Sequence, residues 1–148
     1  MKPLFFLLAV ALLATACRKN KPEPPAAPPV TKQITFDVFA GQDYSGSINS
    51  PYGYKAASVK LTLEKIIKKG SGIQAVWDTT FTYRSLTEFP LRPHQYRVQK
   101  GVPVVEAKEA LSVKYEIWYG SLYNPPQPFG YRAVLEPGQN SLNINVAL

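Results

Sequence analysis

From residue 31 onward, apolar side chains return at every second position in segment after segment, and no long stretch keeps the 3.6-residue period of a helix. Ile34, Phe36 and Val38 alternate with Thr35 and Asp37, and Val59, Leu61 and Leu63 alternate with Lys60, Thr62 and Glu64. Neighbouring residues of a strand point to opposite faces, so each segment reads as a strand with one face buried. Ile73, Ala75, Trp77, Thr79, Phe81 and Tyr83 share one face of the next segment, with Gln74, Asp78, Thr80 and Thr82 on the other. The turn Lys69-Gly70-Ser71-Gly72 makes this pair a hairpin. The segment 58–69 has the Leu and Lys content of a helix, but its β-branched residues and strict alternation favour a strand.

Farther on, Leu111, Val113, Tyr115, Ile117 and Tyr119 alternate with Ser112, Lys114, Glu116 and Trp118. Segments 131–136 and 142–148 flank Pro137-Gly138-Gln139-Asn140, which reads as a second hairpin closing the domain. Shorter strands are expected at 96–98 and 102–105. Short strands divided by turns over residues 31–148 predict a single all-β domain, an antiparallel β-sandwich of seven or eight strands.

The N-terminus is built differently. Met1-Lys2-Pro3 precedes an apolar run from Leu4 to Ala16 with no charged side chain, and Ala14-Thr15-Ala16-Cys17-Arg18 follows at its end. A positive start, an apolar middle and small residues at a cleavage site describe a signal peptide over residues 1–16. The run has roughly 13 residues where a membrane-spanning helix needs about 20.

Cys17 is the sole cysteine of the chain and directly follows the small residues. The segment resembles the lipobox of bacterial lipoproteins, with Ala14 at the position that usually carries Leu. The resemblance implies diacylglyceryl transfer to the Cys17 thiol, cleavage before it, and acylation of the new amino group. Several acyl chains, each contributing about 0.8 kcal/mol per buried CH₂, hold a protein on a membrane where one chain would be marginal. Once Cys17 is acylated no thiol remains for a disulfide, a metal or a nucleophile. Such lipoproteins of Gram-negative type commonly carry Asp after the cysteine when retained in the inner membrane. Arg18 stands there instead, which implies the outer membrane.

Residues 17–30 form the expected tether. Prolines at 22, 24, 25, 28 and 29 favour an extended polyproline helix, a spacer of up to roughly 40 Å at about 3.1 Å per residue. Arg18, Lys19 and Lys21 lie where anionic headgroups attract them.

Within the domain, Leu91-Arg92-Pro93-His94-Gln95-Tyr96-Arg97-Val98 resembles the Leu-x-Pro-Gly-x-Tyr-x-Val signature of prealbumin-like sandwiches, the class that includes carboxypeptidase regulatory-like and collagen-adhesin B-type repeats. Segment 57–63 is similar to an early strand of that class. The sandwich is therefore expected to be prealbumin-like or immunoglobulin-like. Some adhesin relatives carry a Lys–Asn isopeptide bond, but Asn143 and Asn145 alternate opposite Leu142, Ile144 and Val146 and should face solvent.

Residues that could do chemistry are sparse. His94 has no second histidine or cysteine at ligand spacing, so no metal or cofactor is expected. Ser71 sits in a glycine turn without the strand-turn-helix context of a nucleophile. Glu106 with Glu109, and Asp37 with Asp43, read as solvated charge, as do Lys65, Lys68 and Lys69 at a hairpin tip. The net charge of +7 shrinks from Thr31 onward to thirteen basic against nine acidic residues, too mild a balance for nucleic acid.

Aromatics supply the candidate binding surface. Tyr44, Tyr52 and Tyr54 occupy a glycine- and serine-rich loop, Trp118 falls on the polar face of its strand, and Tyr123 and Phe129 bracket a proline-rich loop. Aromatics outside the core pattern stack on sugars or anchor protein partners. The competing expectation is that the loop 120–130 folds back over Trp118. The sequence thus predicts a lipid-anchored envelope protein without catalytic activity, binding a protein or glycan. An envelope hydrolase of glycans or peptides, with a site invisible in sequence, is the alternative.

Overall fold

The computed structural model describes residues 25, 27–45, 56–120 and 127–148. Seven strands are described: β1 (Val30–Phe39), β2 (Ala56–Ile67), β3 (Ile73–Ser85), β4 (Tyr96–Val104), β5 (Glu109–Gly120), β6 (Gln127–Val134) and β7 (Ser141–Ala147). They form two sheets, ordered β4-β1-β7 and β3-β2-β5-β6. The fold is all-β and rich in antiparallel pairs, as the alternation predicts.

The alternating residues meet between the sheets. Ile34, Phe36 and Val38 of β1, Val59, Leu61 and Leu63 of β2, and Val113 of β5 are fully buried. The Phe36 ring stacks on Trp77 of the opposite sheet, with 6.3 Å between centroids. Two 3-10 turns, Leu86–Glu88 and Arg92–His94, carry the chain from β3 to β4, and Leu86 and Phe89 close the core there.

Several sequence expectations are corrected. Positions 96–98 and 102–105 belong largely to one strand, β4, which runs through Pro103. An edge strand tolerates a residue with no N–H to donate, and β4 is an edge. The face assigned to β3 is broken twice, because register shifts between Ala57 and Val59 and between Leu63 and Glu64 each insert an extra residue on β3. Trp77, Thr79 and Phe81 keep to the core side, opposite Leu63, Leu61 and Val59. Ile73, opposite Ile66, and Tyr83, within the upper bulge, are turned outward and are more than half exposed. The Tyr83 hydroxyl lies over Gly120, where a Cβ would come within 1.1 Å of it.

The largest correction concerns the C-terminal strands. β6 and β7 do not pair with each other: β6 lies antiparallel to β5, whereas β7 lies parallel to β1 in the other sheet. Pro137-Gly138, with Gly138 at φ 80°, therefore turns a crossover between sheets. That crossover is pinned from afar. The buried Lys32 ammonium donates to the Gln139 carbonyl at 2.7 Å and pairs with Glu106, whose carboxylate also accepts the Gly138 N–H at 3.0 Å. Gln33 N–H donates to Asn140 O at 2.8 Å.

Candidate functional site

The four-stranded sheet is one strand wider than its partner. β3 faces β4 and β1, through the contacts of Phe81 with Tyr96 and of Trp77 with Phe36, and β7 shares a cleft with Tyr115 of β5 and Tyr131 of β6. β6 is left overhanging. Its core-side residues Phe129 and Tyr131, opposite Ile117 and Tyr115 in the register, are 54% and 46% exposed.

These rings are ordered by their neighbours rather than by a covering strand. Tyr131 stacks on Tyr115 at 5.6 Å, and Phe129 meets Tyr119 edge-on at 5.7 Å. Between the overhang and β7 opens a shallow cleft of about 180 Å³, lined by Tyr115, Tyr131, Leu142, Asn143, Ile144 and Asn145. Burial, and secondarily the neighbouring Tyr131, pushes the Tyr115 phenol above its ordinary pKa, so it stays protonated near neutral pH.

One wall is braced by a buried acid. Asp37 of β1 is almost fully enclosed, gripped by Arg97 through Nε–Oδ1 at 2.8 Å and Nη2–Oδ2 at 3.2 Å. The Arg97 guanidinium holds the Asp37 carboxyl below the ordinary carboxylate range, and Asn143 and Gln95 also donate to it. Asn143 also lines the cleft. Asn143 and Asn145 do face solvent, as their alternation predicts.

Among the described residues, the aromatics singled out in sequence, Tyr44, Trp118 and Phe129, do not form one surface. Tyr44 is half-buried against the core, and its hydroxyl donates to Leu148 O at 2.9 Å. Trp118 is half-buried and lies opposite Ser58 and Pro128, on the outer face of the sheet, whereas Phe129 is on the core side. Positions 127–130 of the loop expected to cover Trp118 belong to β6, and positions 121–126 lie outside the described residues. Tyr52, Tyr54, Tyr123 and Cys17 lie outside the described residues. Reasoning from sequence missed Tyr131 and the two asparagines as partners, because the supposed hairpin paired β6 with β7 inside one sheet.

Asp37, Glu106 and Glu109 are counter-charges to basic side chains, whereas Asp43 is exposed. Glu106 answers Lys32, and Glu109 takes the Lys65 ammonium at 3.0 Å and the Val105 N–H at 3.2 Å. Asp43 accepts the Ser45 N–H at 2.8 Å. At the basic hairpin tip, Lys68 donates to the Glu106 carbonyl at 2.6 Å. His94 is exposed in its 3-10 turn and Ser71 is exposed in the β2–β3 turn. Among the described residues no group of three or more His, Cys, Asp or Glu converges on a metal position.

These pairs set an acid limit. Arg97, Lys32 and Lys65 are the largest causes holding Asp37, Glu106 and Glu109, respectively, below their ordinary values. A carboxylate whose folded pKa is lowered adds stability above its unfolded pKa, near 4, and loses it as pH falls through the folded value. Urea midpoints are therefore expected to be nearly level from about pH 7 to 5 and to fall below about pH 4. A midpoint that rises on acidification would contradict this.

Comparison of the chain with protein-family models, with curated proteins and with solved structures found no match.

Proposed function

We propose that the chain is a lipid-anchored protein of the cell envelope, held at the outer membrane by Cys17, whose β-sandwich binds a protein or glycan partner through the cleft between β6 and β7. The observation that carries the binding role is the overhang: two large aromatics, Phe129 and Tyr131, are held in fixed ring contacts on an edge strand with half of their surface in water. Such rigid, partly exposed rings lose little conformational freedom on binding and supply large contact area. The Cys17 segment and proline-rich tether support the anchor.

The strand order supports a prealbumin-like sandwich over an immunoglobulin-like one. Constant-type immunoglobulin domains keep their first and second strands in one sheet. Here β1 and β2 belong to different sheets, and β1 is flanked by β4 and β7.

A photoreactive benzoylphenylalanine at position 129, introduced in intact cells, is expected to give a covalent adduct on irradiation. The same group at position 83, equally exposed on the opposite face of the sheet, is expected to give none. Absence of an adduct at 129, or equal adducts at both positions, would count against the cleft as the binding surface.

A further inference from the structure

We infer that the occupant of the β6–β7 cleft is a neutral polysaccharide chain. This rests on the cleft being the binding surface and deepens that reading by naming the ligand class.

Charge decides the class first. The lining residues contribute phenols, side-chain amides and apolar groups, and no ammonium, guanidinium or carboxylate. The adjacent Asp37 and Arg97 neutralise each other in a two-point ion pair. Arg132 lies next to Tyr131 in sequence but points to the other face, where it donates to Glu64 at 2.8 Å and to the Ser112 hydroxyl at 2.9 Å. An anionic polymer, whether sulfated, phosphorylated or built of uronic acids, finds no cation to replace its lost hydration.

The remaining groups match a sugar on two sides. A pyranose has an apolar C–H face and a rim of hydroxyls. The overhang offers aromatic rings at Tyr131, which lines the cleft, and at Phe129 two residues before it on the same face, and β7 brings Asn143 and Asn145 to the cleft's outer rim. Each pair is two residues apart on its strand, so its members stand about 7 Å apart on one side of the sheet. Two rings spaced along β6, with amides at the rim, suit consecutive sugar units along the strand better than a single sugar. A protein anchor is less well served: hot-spot side chains seek deep, dry pockets, and this cleft is shallow and open, with the Tyr115 and Tyr131 rings already stacked on each other.

The test is native electrophoresis of the full chain, in mild detergent, through gels cast with laminarin, dextran, galactomannan or xyloglucan, and with alginate as the anionic control. At least one neutral polymer is expected to retard the protein. Tyr131→Ala and, separately, Asn145→Ala are expected to weaken that retardation about tenfold or more, while Tyr83→Ala leaves it unchanged. Near-ultraviolet circular dichroism verifies that each variant is folded, and Asn145→Ala removes an exposed side chain without disturbing the ring stack. Retardation by alginate alone, by no polymer, or in a manner indifferent to both cleft substitutions would overturn the inference. If no polymer retards the protein while the photoreactive group at 129 still forms a polypeptide adduct, the partner is a protein. The binding role then stands and the glycan assignment falls.

Discussion

Cys17→Ser is expected to abolish incorporation of labelled fatty acid into the protein. Diacylglyceryl transfer requires a sulfur nucleophile at the residue after the small side chains, and a serine hydroxyl is far less nucleophilic than a thiol. The chain has no second cysteine to take over, so the loss should be complete rather than partial. Membrane fractionation alone would mislead, because an uncleaved precursor retains the apolar segment from Leu4 to Ala16 and can remain membrane-bound. Metabolic labelling reads the acyl group itself. Label that persists in the variant would remove the anchor from the proposed function and leave the cleft untouched, since the two rest on different residues.

Phe36→Ala is expected to cost about 3–5 kcal/mol of folding stability, a large share of the roughly 5–15 kcal/mol typical of whole domains. Phe36 is at the centre of β1, with Val98 and Ile144 as neighbours in its own sheet, and is fully buried. Its ring crosses the interior to Trp77 on β3, so truncation opens a void at a contact that joins the two sheets. Neither sheet can collapse freely into that void, because each is held by its ladder of backbone hydrogen bonds. Urea unfolding followed by far-ultraviolet circular dichroism gives the number independently of any change in Trp77 fluorescence. Phe129→Ala is the control, expected to cost no more than about 1.5 kcal/mol because half of its ring already meets water and its edge contact with Tyr119 is the main loss. Similar losses for both substitutions would mean that the overhang is packed as tightly as the core.

The difference between these two phenylalanines shows where the sequence was informative. Alternation at Ile34, Phe36 and Val38, or at Val59, Leu61 and Leu63, determines which face of a strand is apolar, because side chains must leave an extended backbone on alternate sides. The all-β class, the core residues of β1, β2 and β5, the β2–β3 hairpin and the outward direction of Asn143 and Asn145 all followed from that local rule.

Which strand covers an apolar face is not a local property. The backbone hydrogen bonds of β6 and β7 are equally available to any neighbour, so Pro137-Gly138 could turn a hairpin or a crossover. The crossover is held by Lys32 and Glu106, residues 74 positions apart in the chain. The same limit hid the two bulges of β3, which turn Ile73 and Tyr83 outward despite their pattern, and the burial on β1 of Lys32 and of Asp37, whose charge reads as solvated. The cleft is the clearest case. Phe129 and Tyr131 have the alternation of core residues, and the pairing of four strands against three leaves them, among the described residues, without a covering strand. A side chain's direction is decided by its own backbone, but its burial is decided by the sheet that packs against it.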